Sequence, residues 1–384
     1  MNFDLSSEQE MLRRTVREFA EQEIAPRAAE LDRREEFSCE LTRAMGALGL
    51  FGMTVSPEYG GHGLDYLSYI IAVEEIARVD GSQAATVAAE NSLGIGPIYY
   101  FGTEEQKRRY LPPLCAGTHL WGFGLTEASA GSDAGGTKTT ARLEGDQWVV
   151  NGSKIFITNA GSPMTLGSTV QCVTGTGADG EKEYSCIIVE QDTPGFTTRA
   201  MHNKLVWRSS NTAELYFDNV HVPRENLLGE RGAGFRQMLE TLDSGRLSIA
   251  AMGLGGAQGA FEAALAYGKE RTQFGKPIAT FQANAFKLAD MATEIEMTRN
   301  LLYKACWLRD QRRAFRKEAA MAKLWASEVM RRVTHAAVQI FGGYGLMEEY
   351  PVARFYRDQR LLEIGEGTSE VQRLVISRLL GCYD

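Results

Sequence analysis

The chain has 384 residues, 44% hydrophobic and 23% charged, enough for two or three domains with a substantial core and too apolar for a disordered chain. Its 41 Lys and Arg against 49 Asp and Glu leave a net charge of −8, which excludes a general nucleic-acid binder, because such proteins neutralise phosphates with a surplus of cations. The most apolar uncharged run, Leu247 to Phe261, holds four glycines and falls short of the ~20 apolar residues of a bilayer span, so none is expected.

In chain order, Ser6-x-x-Gln9 and Ser7-x-x-Glu10 are overlapping capping boxes at a helix start. Leu12, Val16, Phe19 and Ile24 follow at helical spacing, and Pro26 is expected to close that helix. Leu41–Leu50 and Leu67–Ile76 also read as helices, with a glycine-rich loop, Glu58–Leu64, between them. From Leu120 the period becomes that of strands. Trp148–Val150 and Lys154–Ile157 flank Asn151-Gly152, which predicts a tight hairpin there. Tyr184–Val189 and Ala213–Phe217 read as further strands. From Gly234 the chain is helical again, with an apolar stripe at Leu288, Met291, Ile295 and Leu302 and an Ala-rich segment from Lys317 to Gln339. Helices, strands, helices without alternation imply an α+β chain that is mainly α, divided at 1–119, 120–230 and 231–384.

The N-terminal MNFDLSSEQE has no apolar segment of a signal peptide. Cys39, Cys115, Cys172, Cys186, Cys306 and Cys382 are scattered without a C-x-x-C pair, which suits neither a disulfide framework nor zinc. The expected location is the cytoplasm of a bacterium, or the mitochondrial matrix for a processed eukaryotic chain. The five histidines fall outside helical reach of one another, so no metal is expected. Gly253-Leu-Gly255-Gly-Ala-Gln258-Gly fails as a dinucleotide fingerprint, because no strand precedes it, and reads as a close helix-packing run.

Two segments set polar groups in glycine-rich surroundings. The loop from Phe123 to Asp133 offers hydroxyls and flexible amides that can wrap a phosphate or a flavin edge, or form a plain surface loop. Glu366 lies between Gly365 and Gly367 beside an apolar run. Desolvated there, it would be raised toward neutrality and serve as a general base; otherwise it is a solvated loop glutamate.

Taken together, Leu125–Asp133, Asn151–Asn159, Arg271–Pro277, Gln339–Gly343 and Glu366–Glu370 resemble, in order and end to end, the motifs of acyl-CoA dehydrogenases, closest to the short-chain, butyryl-CoA type. The resemblance implies an N-terminal helical domain, a central β-barrel-like domain and a C-terminal four-helix bundle around one FAD. It places Phe123, Leu125, Thr126 and Ser132 along the flavin and its pyrophosphate, Phe156 beside the ring system and Thr158 near N5. Arg271, Gln273, Phe274 and Gln282, with Gln339, Phe341, Gly342 and Gly343, would hold the adenine half across a subunit interface, implying a homo-oligomer, usually a tetramer built as a dimer of dimers. Thr368 and Glu370 match further flavin contacts. Ser132, Asp243, Arg246, Glu366 and Gly367 would face acyl-CoA, with Arg246 either anchoring it or pairing with a nearby carboxylate.

The implied reaction is removal of the α-proton by Glu366 and of the β-hydride by the flavin, giving a 2-enoyl-CoA and passing electrons to electron-transferring flavoprotein. The alternatives are an enoyl-CoA reductase running the same step in reverse, and a dehydrogenase specific for an alicyclic acyl-CoA. Gly245 stands where isovaleryl- and long-chain-type relatives carry the base, which favours the short- or medium-chain arrangement. Glu90 is expected to be a solvated helix-face acid, the other reading being a second proton-transfer group facing the acyl chain. Val206 and Ala128-Ser129 depart from the family pattern without removing a catalytic group.

Overall fold

The structure is a computed structural model and describes residues 4–177 and 180–383. Helix α1 (Ser7–Phe19) starts at the Ser6 cap: the Ser6 hydroxyl accepts the Gln9 amide and the Gln9 side chain returns to the Ser6 N–H. Of the two overlapping boxes only this one closes, since Ser7 already lies inside the helix. Pro26 does not end the helix as expected. A π turn (Ala20–Ile24) intervenes, the Ala25 N–H reaching back to the Ala20 carbonyl, and α2 (Ala25–Arg34) continues with Pro26 in its first turn, where a missing N–H leaves nothing unpaired. Then follow α3 (Cys39–Ala47), α4 (Tyr66–Ala77), α5 (Gly81–Ala89), a second π turn (Glu90–Ile95), α6 (Gly96–Phe101) and α7 (Glu104–Cys115).

The sheet region comprises β1 (Leu120–Gly124), β2 (Thr140–Glu144), β3 (Gln147–Thr158), β4 (Thr165–Thr176), β5 (Lys182–Glu190), β6 (Phe196–Ala200), β7 (Thr212–Pro223) and β8 (Leu227–Leu228). Their order is β6-β7-β3-β2-β4-β5-β8, with β1 added in parallel to β4. The expected barrel does not close. Its would-be edges are β6, which pairs only with β7, and the two-residue β8, too short to carry a further ladder. The halves instead share an inner core that includes Trp148, Val170, Ile187, Phe196 and Phe217.

The predicted hairpin at Asn151-Gly152 is also corrected. β3 runs straight through it, and the tight turn lies at Gly145-Asp146, where Gly145 has φ 60°. At Asn151 the β3–β7 register slips; the Asn151 Oδ1 accepts the Asn219 N–H at 2.9 Å, and a methyl group on Gly152 would lie 2.6 Å from the Thr139 hydroxyl. The Asn-Gly pair serves a bulge, in which Gly152 takes a positive φ of 139° and Asn151 does not.

The last region holds α8 (Gly234–Glu270), a small ribbon of β9 (Thr272–Gln273) and β10 (Lys276–Pro277), α9 (Gln282–Asp310), α10 (Arg316–Phe341), α11 (Pro351–Leu362) and α12 (Ser369–Leu379). α10 packs against α8, α9, α11 and α12, and the stripe of Leu288, Met291, Ile295 and Leu302 is buried. The glycine run of α8 is a packing device, as read. A methyl group on Gly255 would lie 2.2 Å from the Glu74 carbonyl of α4, and one on Gly259 2.0 Å from that of Arg78. Among the described residues no helix is long and apolar enough to cross a membrane, and no cluster of His, Cys, Asp and Glu could hold a metal ion.

Candidate active site

Between α11 and α12 the chain makes a short loop that sets Glu366 at φ 52°, a left-handed conformation uncommon for a residue with a side chain. Three neighbours hold it there. The Lys323 Nζ on α10 donates to the Gly367 carbonyl at 2.6 Å, the Gln372 amide donates to the carbonyls of Glu366 (3.2 Å) and Gly367 (2.9 Å), and Thr368 caps α12 by accepting the Val371 N–H. The side chain turns onto α8, where a methyl group on Gly245 would lie 2.1 Å from Oε2. The residue keeps some exposed surface, but Oε2 is sealed from solvent and makes no hydrogen bond. Burial pushes this carboxyl up to about 7, with Lys323 and Arg246 opposing the rise. A carboxyl with a free, dry oxygen that titrates near neutrality can take up or release a proton at physiological pH.

Arg246 lies one residue beyond Gly245 and is buried. Its guanidinium pairs with Asp243, whose Oδ2 also meets the Arg316 Nε at 3.1 Å, while the Arg246 Nε has no partner. Arg246 thus pairs with a nearby carboxylate and keeps one guanidinium nitrogen unengaged. On α4, the Tyr66 hydroxyl donates to the Ser244 carbonyl at 2.9 Å and the Tyr69 hydroxyl to the Ala88 carbonyl at 2.9 Å.

The loop after β1 is stitched to β3. The Ile155 N–H donates to the Thr126 carbonyl (2.9 Å), and the Lys154 Nζ donates to the Leu125 carbonyl (3.1 Å) and the Glu127 carboxylate (2.8 Å). Glu127 in turn accepts the N–H groups of Lys138 and Thr139. Leu125 and Thr126 are thereby tied to the strand that carries Phe156 and Thr158, while Phe123 lies in β1 opposite Thr169 of β4. Phe156 stands 62% exposed at φ 63°, Ser132 is open to solvent, and a methyl group on Gly131 would touch nothing within 4 Å. An exposed ring, hydroxyls and unobstructed glycine backbone fit the flat, polar-edged flavin that the sequence implied.

The solvated reading of Glu90 does not hold, and its Oε1 is sealed without a hydrogen bond. It is fully buried at the second π turn and turned towards the sheet, where Oε2 accepts the Trp121 N–H (3.0 Å) and the Asn159 amide (3.2 Å). Burial pushes it up to about 8. It shares no hydrogen bond or ion pair with Glu366; it is a strut between α5 and the sheet.

A second patch gathers Arg271, Gln273, Phe274 and Gln282 with Gln339, Gly342 and Gly343, all exposed. Phe274, at the ribbon tip, is 94% exposed; the Arg271 guanidinium lies 5.7 Å above the Tyr344 ring, and Phe341 stacks on Tyr267 at 4.1 Å. Among the described residues, no hydrogen bond or ion pair joins this patch to the Phe123–Ser132 loop. Glu370 is exposed at the start of α12.

Sequence reasoning missed Lys154, Lys323, Gln372 and Asn159. For Lys323 a signal was present: it shares the buried Ala-rich face of α10 with Ala319, Ala320, Ala322 and Ala326, where a cation has no place without a partner.

Models of the acyl-CoA dehydrogenase N-terminal, middle and C-terminal domains match residues 6–118, 122–220 and 232–381. The chain belongs to the acyl-CoA dehydrogenase family. It is 53% identical to a probable acyl-CoA dehydrogenase, YngJ, of Bacillus subtilis, over 99% of this chain and 100% of that one. Butyryl-CoA dehydrogenase from Megasphaera elsdenii superposes with a TM-score of 0.95 at 45% identity, over 99% and 100% of the two chains. A chain in a structure of the electron transferring flavoprotein of Acidaminococcus fermentans, described with flavin-based electron bifurcation, superposes with a TM-score of 0.95 at 47% identity over 99% of each chain. Acyl-CoA dehydrogenases are flavin-dependent oxidoreductases, and the chain is an enzyme of this class.

Proposed function

We propose that the protein carries out FAD-dependent α,β-dehydrogenation of a short-chain, or small branched or cyclic, acyl-CoA thioester, with Glu366 as the base. The observation that carries this reading is the Glu366 carboxyl, sealed against Gly245 with an unpartnered oxygen and titrating near pH 7. A thioester α-proton is weakly acidic, so its removal needs a fixed base and a polarised carbonyl. The loop supplies the first, and the Glu366 N–H stands beside it for the second. Arg246 and Asp243 would meet the CoA chain together with Ser132 and Gly367. Phe123, Leu125, Thr126, Ser132, Phe156 and Thr158 would hold the flavin. The chemistry a bound flavin supplies is acceptance of the β-hydrogen with its electron pair. The second patch, Arg271, Gln273, Phe274, Gln282 and Gln339–Gly343, with Thr368 and Glu370, would serve the cofactor of a neighbouring copy in a homo-oligomer. Electrons would leave to an electron-transferring flavoprotein, in keeping with the third relative above. A carboxyl half-protonated at neutral pH also serves the reverse reaction, reduction of an enoyl-CoA, as an acid.

The test is anaerobic bleaching of the oxidised-flavin band by butyryl-, hexanoyl-, isobutyryl-, glutaryl- and cyclohexanecarboxyl-CoA. Rapid bleaching by one thioester supports the reading and names its acyl class; bound flavin that none of them bleaches overturns it. Glu366→Gln is expected to retain flavin and slow its reduction by about 10²–10⁴-fold, the usual worth of a positioned base.

A further inference from the structure

Lys323 is a buried titratable group beside the proposed chemistry whose charge the reading above does not use. It stands on α10 with 0% of its surface exposed, yet its Nζ makes a single hydrogen bond, to the Gly367 carbonyl directly after Glu366. A buried ammonium with one neutral acceptor is costly unless a negative charge stands nearby to balance it. The acids that face it are Glu366 on the loop, Glu363 at the end of α11 and Glu370 at the start of α12; the cation that faces it is Arg246 on α8. Glu363 is engaged by Arg331 and Arg360, and Glu370 is solvent-exposed. Arg246 is engaged by Asp243, which Arg316 also reaches. Among these acids Glu366 is the one with an oxygen sealed from solvent and no ion pair of its own among the described residues.

We propose that Lys323 is a positioning residue for the base: its charge holds Glu366 ready as a carboxylate, and its bond to Gly367 holds the loop in the left-handed turn that points Glu366 at Gly245. This rests on Glu366 being the base. The lysine exchanges no proton with substrate; it acts through the field at the carboxylate and through the loop carbonyl. Its own ionisation is pulled down to about 8 by burial, with Glu366 as the main opposing influence, so the two groups share one charge balance. Tyr69 on α4 also faces Glu366 but stays neutral, because burial holds its hydroxyl far above physiological pH.

The test uses the flavin-loaded enzyme and butyryl-CoA, or whichever thioester of the panel bleaches it fastest. The limiting rate of flavin reduction is followed from roughly pH 5.5 to 9.5, a range that brackets a base near neutrality. Lys323→Met, of similar length and without charge, is expected to move the midpoint alkaline by about one unit or more, the effect of losing a neighbouring opposite charge. The variant is then about tenfold slower below the midpoint and converges on the wild type at high pH. Lys323→Arg restores the midpoint. Gln372→Leu removes the other clamp on the same carbonyls without changing charge, and is expected to slow the reaction with the midpoint unmoved.

If Lys323→Met slows reduction equally at every pH, the lysine is only a mechanical clamp and the proposal fails. Should that variant not hold flavin, the Glu366 carboxylic C=O band of the wild type, identified by its loss in Glu366→Gln, is titrated by infrared spectroscopy. A midpoint near neutrality supports the proposal, and one above about 9, as for an uncompensated buried carboxyl, overturns it. Failure of the base assignment shows separately, as undiminished reduction by Glu366→Gln.

Discussion

A single methyl group at position 245 reaches the proposed base directly. Gly245→Ala would place a carbon 2.1 Å from the Glu366 Oε2, so the carboxyl must swing aside. Helix α8 itself would tolerate the change, since alanine is the better helix former by about 1 kcal/mol. The expected outcome is a limiting rate of flavin reduction lowered by about 10²-fold, the cost of an ångström-scale misplacement, with thermal stability unchanged or slightly raised. Glu90 gives a residue-scale prediction of opposite kind. Its carboxyl titrates near the ordinary 4.5 when unfolded and about 8 in the fold. Stability from this group is therefore greatest at acid pH and lost as pH rises from about 4.5 to 8, because the unfolded chain ionises first. Glu90→Gln keeps an acceptor for Trp121 and Asn159 and removes that loss. Its melting temperature should exceed the wild type's at pH 8 and approach it near pH 5. Glu366 was legible in the sequence through its glycine neighbours, whereas Glu90 was not: a helical spacing shows which face a residue is on, and only the fold shows that a sheet covers that face.

At the scale of elements, the same chemistry was assigned to the wrong place in β3. Asn151-Gly152 and Gly145-Asp146 both offer positive φ, and local preference cannot tell a turn from a bulge. What decides is β7, a partner some seventy residues away, which continues past Asn151 and pairs it with Asn219. Pro26 was misread for a similar reason, because a π turn one step earlier changes which amides are needed. The strand and helix regions themselves were legible from their periods. Lys154 is the element-scale link between the two segments proposed to hold the flavin. Burial weighs against its charge and that of Glu127, and their hydrogen bond resists that in both. Lys154→Met would strand Glu127 and free the Leu125 carbonyl. It should cost about 3–5 kcal/mol in unfolding experiments, as broken buried pairs do, and lower the flavin-to-protein ratio after gel filtration.

Across the whole molecule, the helical and sheet regions are joined by acids, Glu90 and Asp358 buried and Glu190 half-buried. Glu90 receives the Trp121 N–H, Asp358 on α11 receives the Trp207 N–H at 2.9 Å, and Glu190 receives the Tyr110 hydroxyl at 2.6 Å. Such contacts between regions leave no trace in a sequence pattern, which explains why the order of regions was readable and their seams were not. The open sheet was hidden likewise, since the strand order that leaves β6 and β8 at its edges is set by pairings between distant segments. Outward, the molecule shows apolar groups where the proposed assembly needs them: Phe274, Leu346 and Met347 are exposed near Arg271 and Gly342. Phe274→Asp is expected to reduce the assembled mass in light scattering and the retained flavin together, with helical content by circular dichroism unchanged. Loss of neither would remove the ribbon from the proposed interface.

The contact of α8 with α4 carries a consequence for how substrate range can change. Gly255 and Gly259 bring the α8 backbone against the Glu74 and Arg78 carbonyls, with no side chain between to rotate or compress. Further along the same two helices stand Gly245, facing Glu366, and Tyr69. The spacing there is thus gauged by main chain against main chain, and sliding either helix would drive an α-carbon into an oxygen. For the proposed acyl-CoA, divergence toward a bulkier or smaller acyl group beside Glu366 would therefore proceed by exchanging individual side chains rather than by shifting α8 on α4. A larger residue at Gly255 would instead act as a remote wedge, parting the two helices without touching Glu366.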